Sequence, residues 1–380
     1  MSEFRPWPPG SLTGAQYLAL TMSGFMAMGL FEFPADLAQV AGRAALVSLL
    51  ISIALTVGGA AALLALARRF PGRTVIEYAP MILGRWPGRA VIAALLLLHL
   101  FITGVATESF TRAVNNVVLP QTPAAAVALI YLATAVFLSW IGLVPLGSTC
   151  QVAFPAAWSI MMLVTLIAVR RVQGLHLLPS LVPGWGAVAQ GVLRVYYPFM
   201  TCKVLYLLPG FIANRRRLNL ALWAVGVNSA TFLAQFLVTA GILGVDTLHV
   251  LTRPTAFMMR IVRFPGFLVE HVGYVVAISF TIFNCLFAAI QIWAISLLTA
   301  GLLNLPRDRY RLFIGPVAAA AFALGLAYED EAQLSIQFTR IISPAGLVTG
   351  VLLPAVLYLV ARLRGFKPPP ATARQQEKPP

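Results

Sequence analysis

The stretch from Gly24 to Pro34 contains the residue types that could bind a small ligand through the polypeptide backbone. Gly24 and Gly29 interrupt a long apolar run that otherwise predicts a membrane-spanning helix, and Pro34 ends it. A broken helix is tolerated in lipid only where protein or a water-filled cavity surrounds it. Its unwound backbone then offers N–H and C=O groups to a ligand, aided by the dipoles of the half helices. A kinked helix that packs closely at the two glycines is the alternative interpretation.

A second interruption, Tyr196-Tyr197-Pro198, follows about half a chain later and favours the binding interpretation. Paired interruptions at corresponding positions of two repeats indicate a site near the middle of the membrane. Polar residues of the third and eighth spans would complete it, although helix packing and helix-to-helix hydrogen bonds are common uses of such side chains. The predicted ligand-binding residues are Gly24, Met28, Gly29, Leu30, His99, Thr103, Tyr196, Tyr197, Phe199 and Asn284.

Composition identifies a protein that crosses the membrane many times. The chain is 59% hydrophobic and only 10% charged, whereas soluble proteins carry roughly 25% charged residues. The net charge of +15 does not indicate nucleic-acid binding, because the basic residues flank apolar runs, where they orient membrane helices. The three cysteines are far apart, and no phosphate-binding loop, nucleophile triad or metal-ligand spacing occurs. We therefore expect neither an enzyme nor a cofactor.

Ten apolar runs of spanning length organise the chain, since a span needs about 20 residues. If the N-terminus is cytoplasmic, most Lys and Arg residues fall on the cytoplasmic side, which predicts that both termini lie there. Thr74 could cap a short helix at the cytoplasmic interface in the loop after the second span, and a structural elbow is the favoured interpretation of this loop. The predicted spans are about 13–34, 44–67, 90–114, 123–143, 150–169, 187–211, 218–243, 267–302, 312–328 and 343–363.

The ten spans divide into two halves of five. An odd number of helices per half forces the halves into opposite orientations, so the sequence predicts an all-α membrane fold with a five-plus-five inverted repeat and discontinuous helices 1 and 6. We expect one transmembrane domain over residues 1–364, with repeats at about 13–169 and 187–363. The remainder, 365–380, is rich in Pro and Lys and predicts a disordered cytoplasmic tail. Gly346 and Gly350 match a small-residue pattern in the tenth span, which indicates either helix packing or contact with a partner.

Three stretches of the chain resemble the spore germination permeases, the B subunits of nutrient germinant receptors. They are the loop Arg68–Tyr78, which continues through Ile82–Arg89, the turn Leu119–Pro123, and the turn Leu208–Phe211. The resemblance covers nearly the whole chain. It implies the fold of the amino acid–polyamine–organocation superfamily and a small nutrient, often an amino acid, bound at the broken helices. It also implies a complex with the other germinant receptor subunits.

Two positions bear on how far that resemblance extends. Related first helices often carry Gly-Ala-Gly before the break, where this chain has Ala27-Met28-Gly29, so Met28 would narrow the pocket. In some superfamily members a buried lysine replaces a coupling cation. Lys203, just after the second break, is the candidate here, although it could also extend its amine towards the cytoplasmic surface.

A charged pair near the outer end of the third span is a candidate gate. Glu108 and Arg112 are spaced i, i+4 and are expected to pair with each other, with an outer gate as the functional alternative. None of the acidic residues falls at the midpoint of a predicted span, so a central proton carrier is not evident.

The sequence therefore predicts a multi-pass germinant receptor subunit of the spore inner membrane or cell membrane. It would bind a small germinant in a midplane pocket and signal germination, and the expected germinant is an amino acid. The alternative is a cation-coupled secondary amino-acid transporter.

Overall fold

The computed structural model describes residues 12–25, 29–117, 119–174, 184–212, 214–248, 250–251, 253–261, 272–327 and 336–366. Within these ranges the chain is helical, with turns between helices and no β-strand. Among the residues that the structure describes, seven helical stretches are long and apolar enough to cross a membrane, and Ala124–Trp140 is a shorter apolar helix. With the two broken segments, the predicted ten-span architecture is confirmed.

The helices are numbered here in chain order. They are α1 Gly14–Ser23, α2 Phe33–Ala41, α3 Ala45–Arg69, α4 Val75–Leu83, α5 Arg85–Val117, α6 Ala124–Trp140, α7 Leu143–Ala168, α8 Gly184–Arg194, α9 Leu220–Leu243, α10 Val245–Leu248, α11 Pro254–Ile261, α12 Val272–Leu302, α13 Arg311–Leu326 and α14 Gln337–Leu363. Short 3₁₀ segments are Gly42–Ala44, Val169–Arg171, Tyr197–Tyr206, Leu208–Phe211, Arg215–Asn219 and Arg307–Tyr310.

The first span is broken into α1 and α2, as predicted. Thr13 and Gln16 form a reciprocal cap at the start of α1, and the helix ends at Gly24. Gly29, with φ of +73°, turns the chain before α2 begins. Left-handed backbone of this kind strongly favours glycine, because a Cβ atom would crowd the neighbouring carbonyl.

The end of this span differs from the prediction. The sequence predicts that the apolar segment ends at Pro34, but this residue lies in the first turn of α2, and the helix continues to Ala41. Proline is favoured in a first turn, because the N–H that it lacks would have no partner within the helix. Asp36 therefore lies inside a membrane-spanning segment and is buried.

The sixth span is broken as well. The helix α8 stops at Arg194, and after Val195 and Tyr196 the chain continues as 3₁₀ helix from Tyr197 to Tyr206. Pro198 accounts for the position of the break, since the residue before a proline is disfavoured in α-helical conformation. Both discontinuities are thus confirmed, and each begins a half of five spans.

The helix α12 is the centre of the bundle. In its most apolar part 83% of the residues are buried, a larger share than in any of the other six stretches of spanning length. It packs against α5, α6 and α7. The long helices α5, α6, α7 and α12 therefore form a scaffold, and the two broken segments belong to the same bundle.

Small residues and caps fix two further parts of the scaffold. A Cβ atom on Gly59 of α3 would lie 2.0 Å from the carbonyl oxygen of Gly350 in α14, so these helices cross at backbone contact. The predicted packing role of the Gly346/Gly350 pair is confirmed, since a Cβ on Gly346 would also meet Met200. The predicted short helix is α4, and Thr74 caps it together with Glu77.

Only the start of the predicted tail falls within the described residues. The Phe366 ring lies 5.3 Å from the Phe70 ring. The backbone carbonyl oxygen of Phe366 accepts a hydrogen bond from Arg69. Residues 367–380, the remainder of the predicted tail, lie outside the described residues.

Candidate functional site

The two broken segments meet at Gly29 and Tyr197. A Cβ atom on Gly29 would lie 2.1 Å from Cε2 of Tyr197, so only glycine permits this approach. Gly24, at the end of α1, faces the same 3₁₀ segment, where a Cβ would lie 3.4 Å from Cγ1 of Val204. The sequence-predicted residues of the two breaks are therefore brought together.

The hydroxyl group of Tyr197 donates a hydrogen bond to Oδ2 of Asp36, at 2.7 Å. Its ring stacks on Phe338 of α14, with the ring centroids 4.8 Å apart. All three side chains are buried. Tyr197 thus contacts the break in the first span, the helix α2 that follows it, and a helix of the second half.

Tyr196 holds the second break against two other helices. Thr56 of α3 donates to the Tyr196 hydroxyl oxygen at 3.0 Å, and the Tyr196 backbone N–H donates to the hydroxyl oxygen of Ser343 in α14. The backbone N–H at this break thus has a side-chain acceptor, as buried backbone groups require.

An aromatic cluster lies beside the breaks. Phe199 lies 6.3 Å from Phe25, at the end of α1, and 5.6 Å from Phe232 of α9. Phe232 also contacts Phe33, the first residue of α2, at 5.4 Å. Of these rings, sequence reasoning singled out only Phe199. Leu30, another predicted residue, is fully buried.

The predicted polar residues of α5 and α12 bond mainly within the scaffold. His99 hydrogen-bonds through Nδ1 to the Gln291 side chain of α12, which ties the two helices together. Thr103 donates to the carbonyl oxygen of His99, and Asn284 donates to that of Phe280, each within its own helix. Gln291 was missed by sequence reasoning.

A group of charged residues lies where α2 begins. Glu108 and Arg112 form the predicted ion pair. Glu32, which precedes α2, accepts from Ser109 of α5 at 3.4 Å and pairs with Arg253 at 3.3 Å. The predicted gate pair is therefore adjacent in sequence to Ser109, which contacts the first broken segment.

A third ion pair lies at α4. Arg307 pairs with Glu77, and its guanidinium carbon lies 5.7 Å from the centre of the Phe211 ring. The carbonyl oxygen of Phe211 accepts from the backbone N–H of Leu12, just before α1. The ion pair was not predicted. Phe211, which Arg307 contacts, links the end of the sixth span with the start of the first through its bond to Leu12.

Two predicted site residues cannot be placed. Met28 lies outside the described residues, and the structure describes the backbone of Lys203 but not its side chain. In the part of the chain that the structure describes, no three His, Cys, Asp or Glu side chains are placed to hold a metal ion.

Comparison with known proteins identifies the family. A family model described as "Spore germination protein" matches residues 11–331. This chain belongs to the spore germination protein family. It is similar to the spore germination protein YndE of Bacillus subtilis (strain 168), with 22% identity over 265 residues, which cover 69% of this chain and 73% of that protein. The family resemblance drawn from the sequence motifs is thereby confirmed.

A solved structure matches the fold of this spore germination protein. The crystal structure of MhsT in complex with L-phenylalanine aligns with a TM-score of 0.65, over 94% of this chain and 99% of that chain. At 11% identity this likeness shows the fold alone. It agrees with the inverted repeat that the two breaks define, and hence with a multi-pass, permease-like membrane protein.

Proposed function

We propose that this protein is the membrane subunit of a nutrient germinant receptor and binds a small germinant, an amino acid, between its two broken helices. The observation that carries the proposal is the contact of Gly29 with Tyr197, which joins the two breaks across the bundle. Backbone groups at such breaks, together with half-helix dipoles, suit the carboxylate and ammonium groups of an amino acid.

Family and fold support the ligand class. The family is that of spore germination proteins, and a structure of the same fold holds L-phenylalanine. Ligand binding would draw the broken helices together and shift the population of receptor states that partner subunits sense. The protein would act in the spore inner membrane, with both termini cytoplasmic and the other germinant receptor subunits as partners.

The test uses the purified full-length chain in lipid nanodiscs. Unfolding temperature is measured with each of the L-amino acids as probe, because a ligand that binds only the folded state raises it. A selective rise for one or a few amino acids, matched by the amino acids that trigger germination of spores carrying the protein, is the expected result. No rise for any probe would count against the proposal.

One observation favours the alternative, a cation-coupled amino-acid transporter. The sequence places no acidic residue at the midpoint of a predicted span, but Asp36 is buried within α2, where a carboxylate can carry a proton. A gradient drives transport only if the ion binds differently to the outward-open and inward-open states. Uptake of radiolabelled amino acid into sealed proteoliposomes, above the external concentration and lost when the proton gradient collapses, would establish this function instead.

A further inference from the structure

Tyr197 is fixed on three sides. Its ring lies against the backbone at Gly29 on one side and against Phe338 on another, and its hydroxyl group reaches Asp36. The ring therefore occupies the junction of the two broken spans. Any movement of α2 away from the second break must either carry Tyr197 along or break the bond to Asp36.

Asp36 is placed to hold this contact strongly. It lies near the N-terminus of α2, where the helix dipole favours a negative charge. A hydrogen bond from a phenol to a carboxylate is shorter and stronger than one between neutral groups. Because ionisable residues are costly within a membrane span, their presence there indicates a role.

The neighbouring charged group holds α2 from its other side. Glu32, just before α2, bonds to Ser109 of α5 and pairs with Arg253 near the start of α11. These contacts join α2 to the scaffold, whereas Asp36 joins α2 to the opposite break. The Asp36–Tyr197 bond thus adds a side-chain hydrogen bond at the second break to the packing of α2 against α8.

We propose that Asp36 is a positioning residue, which orients the Tyr197 ring against Gly29 and so holds the two broken helices together around a bound ligand. The inference rests on the proposed function. A ligand that draws α2 towards the second break is then retained by the same hydrogen bond. Loss of the bond should raise the rate of ligand dissociation more than it lowers the rate of association.

The experiment compares Asp36→Ala, Asp36→Asn, Tyr197→Phe and the double variant Asp36→Ala/Tyr197→Phe as full-length protein in nanodiscs. The probe is the L-amino acid that gives the largest thermal shift with the wild type. We expect Asp36→Ala and Tyr197→Phe each to weaken binding on the order of tenfold, through faster dissociation. Asp36→Asn keeps an acceptor oxygen, so its ligand affinity should fall less. The double variant should lose no more affinity than either single variant.

Tyr206→Phe is the matched control. The Tyr206 hydroxyl group, also buried in the second broken segment, donates to the carbonyl oxygen of Thr349 at 2.7 Å. Its removal deletes a hydrogen bond of similar length without touching Asp36. The control should lower the unfolding temperature while leaving ligand dissociation unchanged. Additive losses in the double variant, or the same faster dissociation in Tyr206→Phe, would overturn the proposal.

A second measurement needs no ligand. Hydrogen–deuterium exchange of residues 29–36 and 195–199 should be faster in Asp36→Ala than in the wild type, and unchanged in Tyr206→Phe. If no amino acid binds the wild type, the proposed function fails, and exchange alone decides the role of Asp36. Exchange at the wild-type rate in Asp36→Ala would reject that role.

Discussion

Glu77 and Arg307 form a largely buried ion pair between α4 and the 3₁₀ turn before α13. One oxygen of Glu77 accepts from the backbone N–H of Thr74 and so caps α4, while the other faces Arg307. Arg307 in turn lies over the ring of Phe211. Two of the motif stretches that resemble the family, Arg68–Tyr78 and Leu208–Phe211, therefore meet at this one pair.

The first prediction concerns this pair. Glu77→Gln keeps an acceptor for the helix cap but removes the negative charge of Glu77 that faces the buried Arg307. Breaking one side of a buried pair costs about 3–5 kcal/mol, and the partial exposure of Glu77 should place the loss at the lower end. Replacing both residues, as Glu77→Gln/Arg307→Met, should recover much of the stability. The measurement is thermal unfolding of the purified protein in detergent.

The control for that prediction is the exposed pair of Arg43 and Asp246. Their side chains are 61% and 73% exposed, so water screens the attraction and the pair contributes little to stability. Asp246→Asn should therefore change the unfolding temperature little. If the double variant at Glu77 and Arg307 is less stable than Glu77→Gln alone, the loss in Glu77→Gln does not come from removing the charge that faces Arg307.

The second prediction concerns Gly29. Gly29→Ala places a methyl group at the Tyr197 ring and also strains a left-handed backbone, which costs roughly 1–2 kcal/mol on its own. We expect the protein to remain in the membrane but to lose its response to germinant. The measurement is germination of spores that carry the variant, with membrane abundance determined by immunoblot.

Gly42 supplies the matched control for Gly29. It also has left-handed φ, of +53°, but a Cβ there would meet no atom within 4 Å. Gly42→Ala should therefore show the effect of backbone strain without the clash. Equal loss of response in both variants would mean that strain, and not the approach to Tyr197, explains Gly29.

The fold could be predicted from the sequence because the signals are local. Apolar runs of spanning length, and Gly29 or Pro198 within two of them, determine where helices form and break. The α4 cap has a local sequence signal as well, since Thr74 and Glu77 are three residues apart. Each of these features depends on neighbours in the chain, so no tertiary contact was needed to find it.

The site was only partly predicted, because its contacts are long-range. Asp36 was missed because the apolar run ends at Pro34, which places Asp36 outside the predicted first span. Arg307 and Phe211, nearly a hundred residues apart, carry no shared sequence signal that predicts their contact. A carboxylate two residues after a proline in an apolar run is the signal that could have identified Asp36.

The last prediction tests the crossing of α3 and α14. Gly58 and Gly59 are adjacent in α3, but a Cβ on Gly59 would meet the carbonyl oxygen of Gly350 at 2.0 Å, whereas one on Gly58 would meet nothing within 4 Å. Backbone atoms cannot rotate away as a side chain can, so Gly59→Ala must push the helices apart. We expect it to destabilise the protein by about 1–3 kcal/mol, while Gly58→Ala leaves it unchanged or slightly more stable. Thermal unfolding of the two variants decides the matter, and equal stability of the pair would contradict the close crossing.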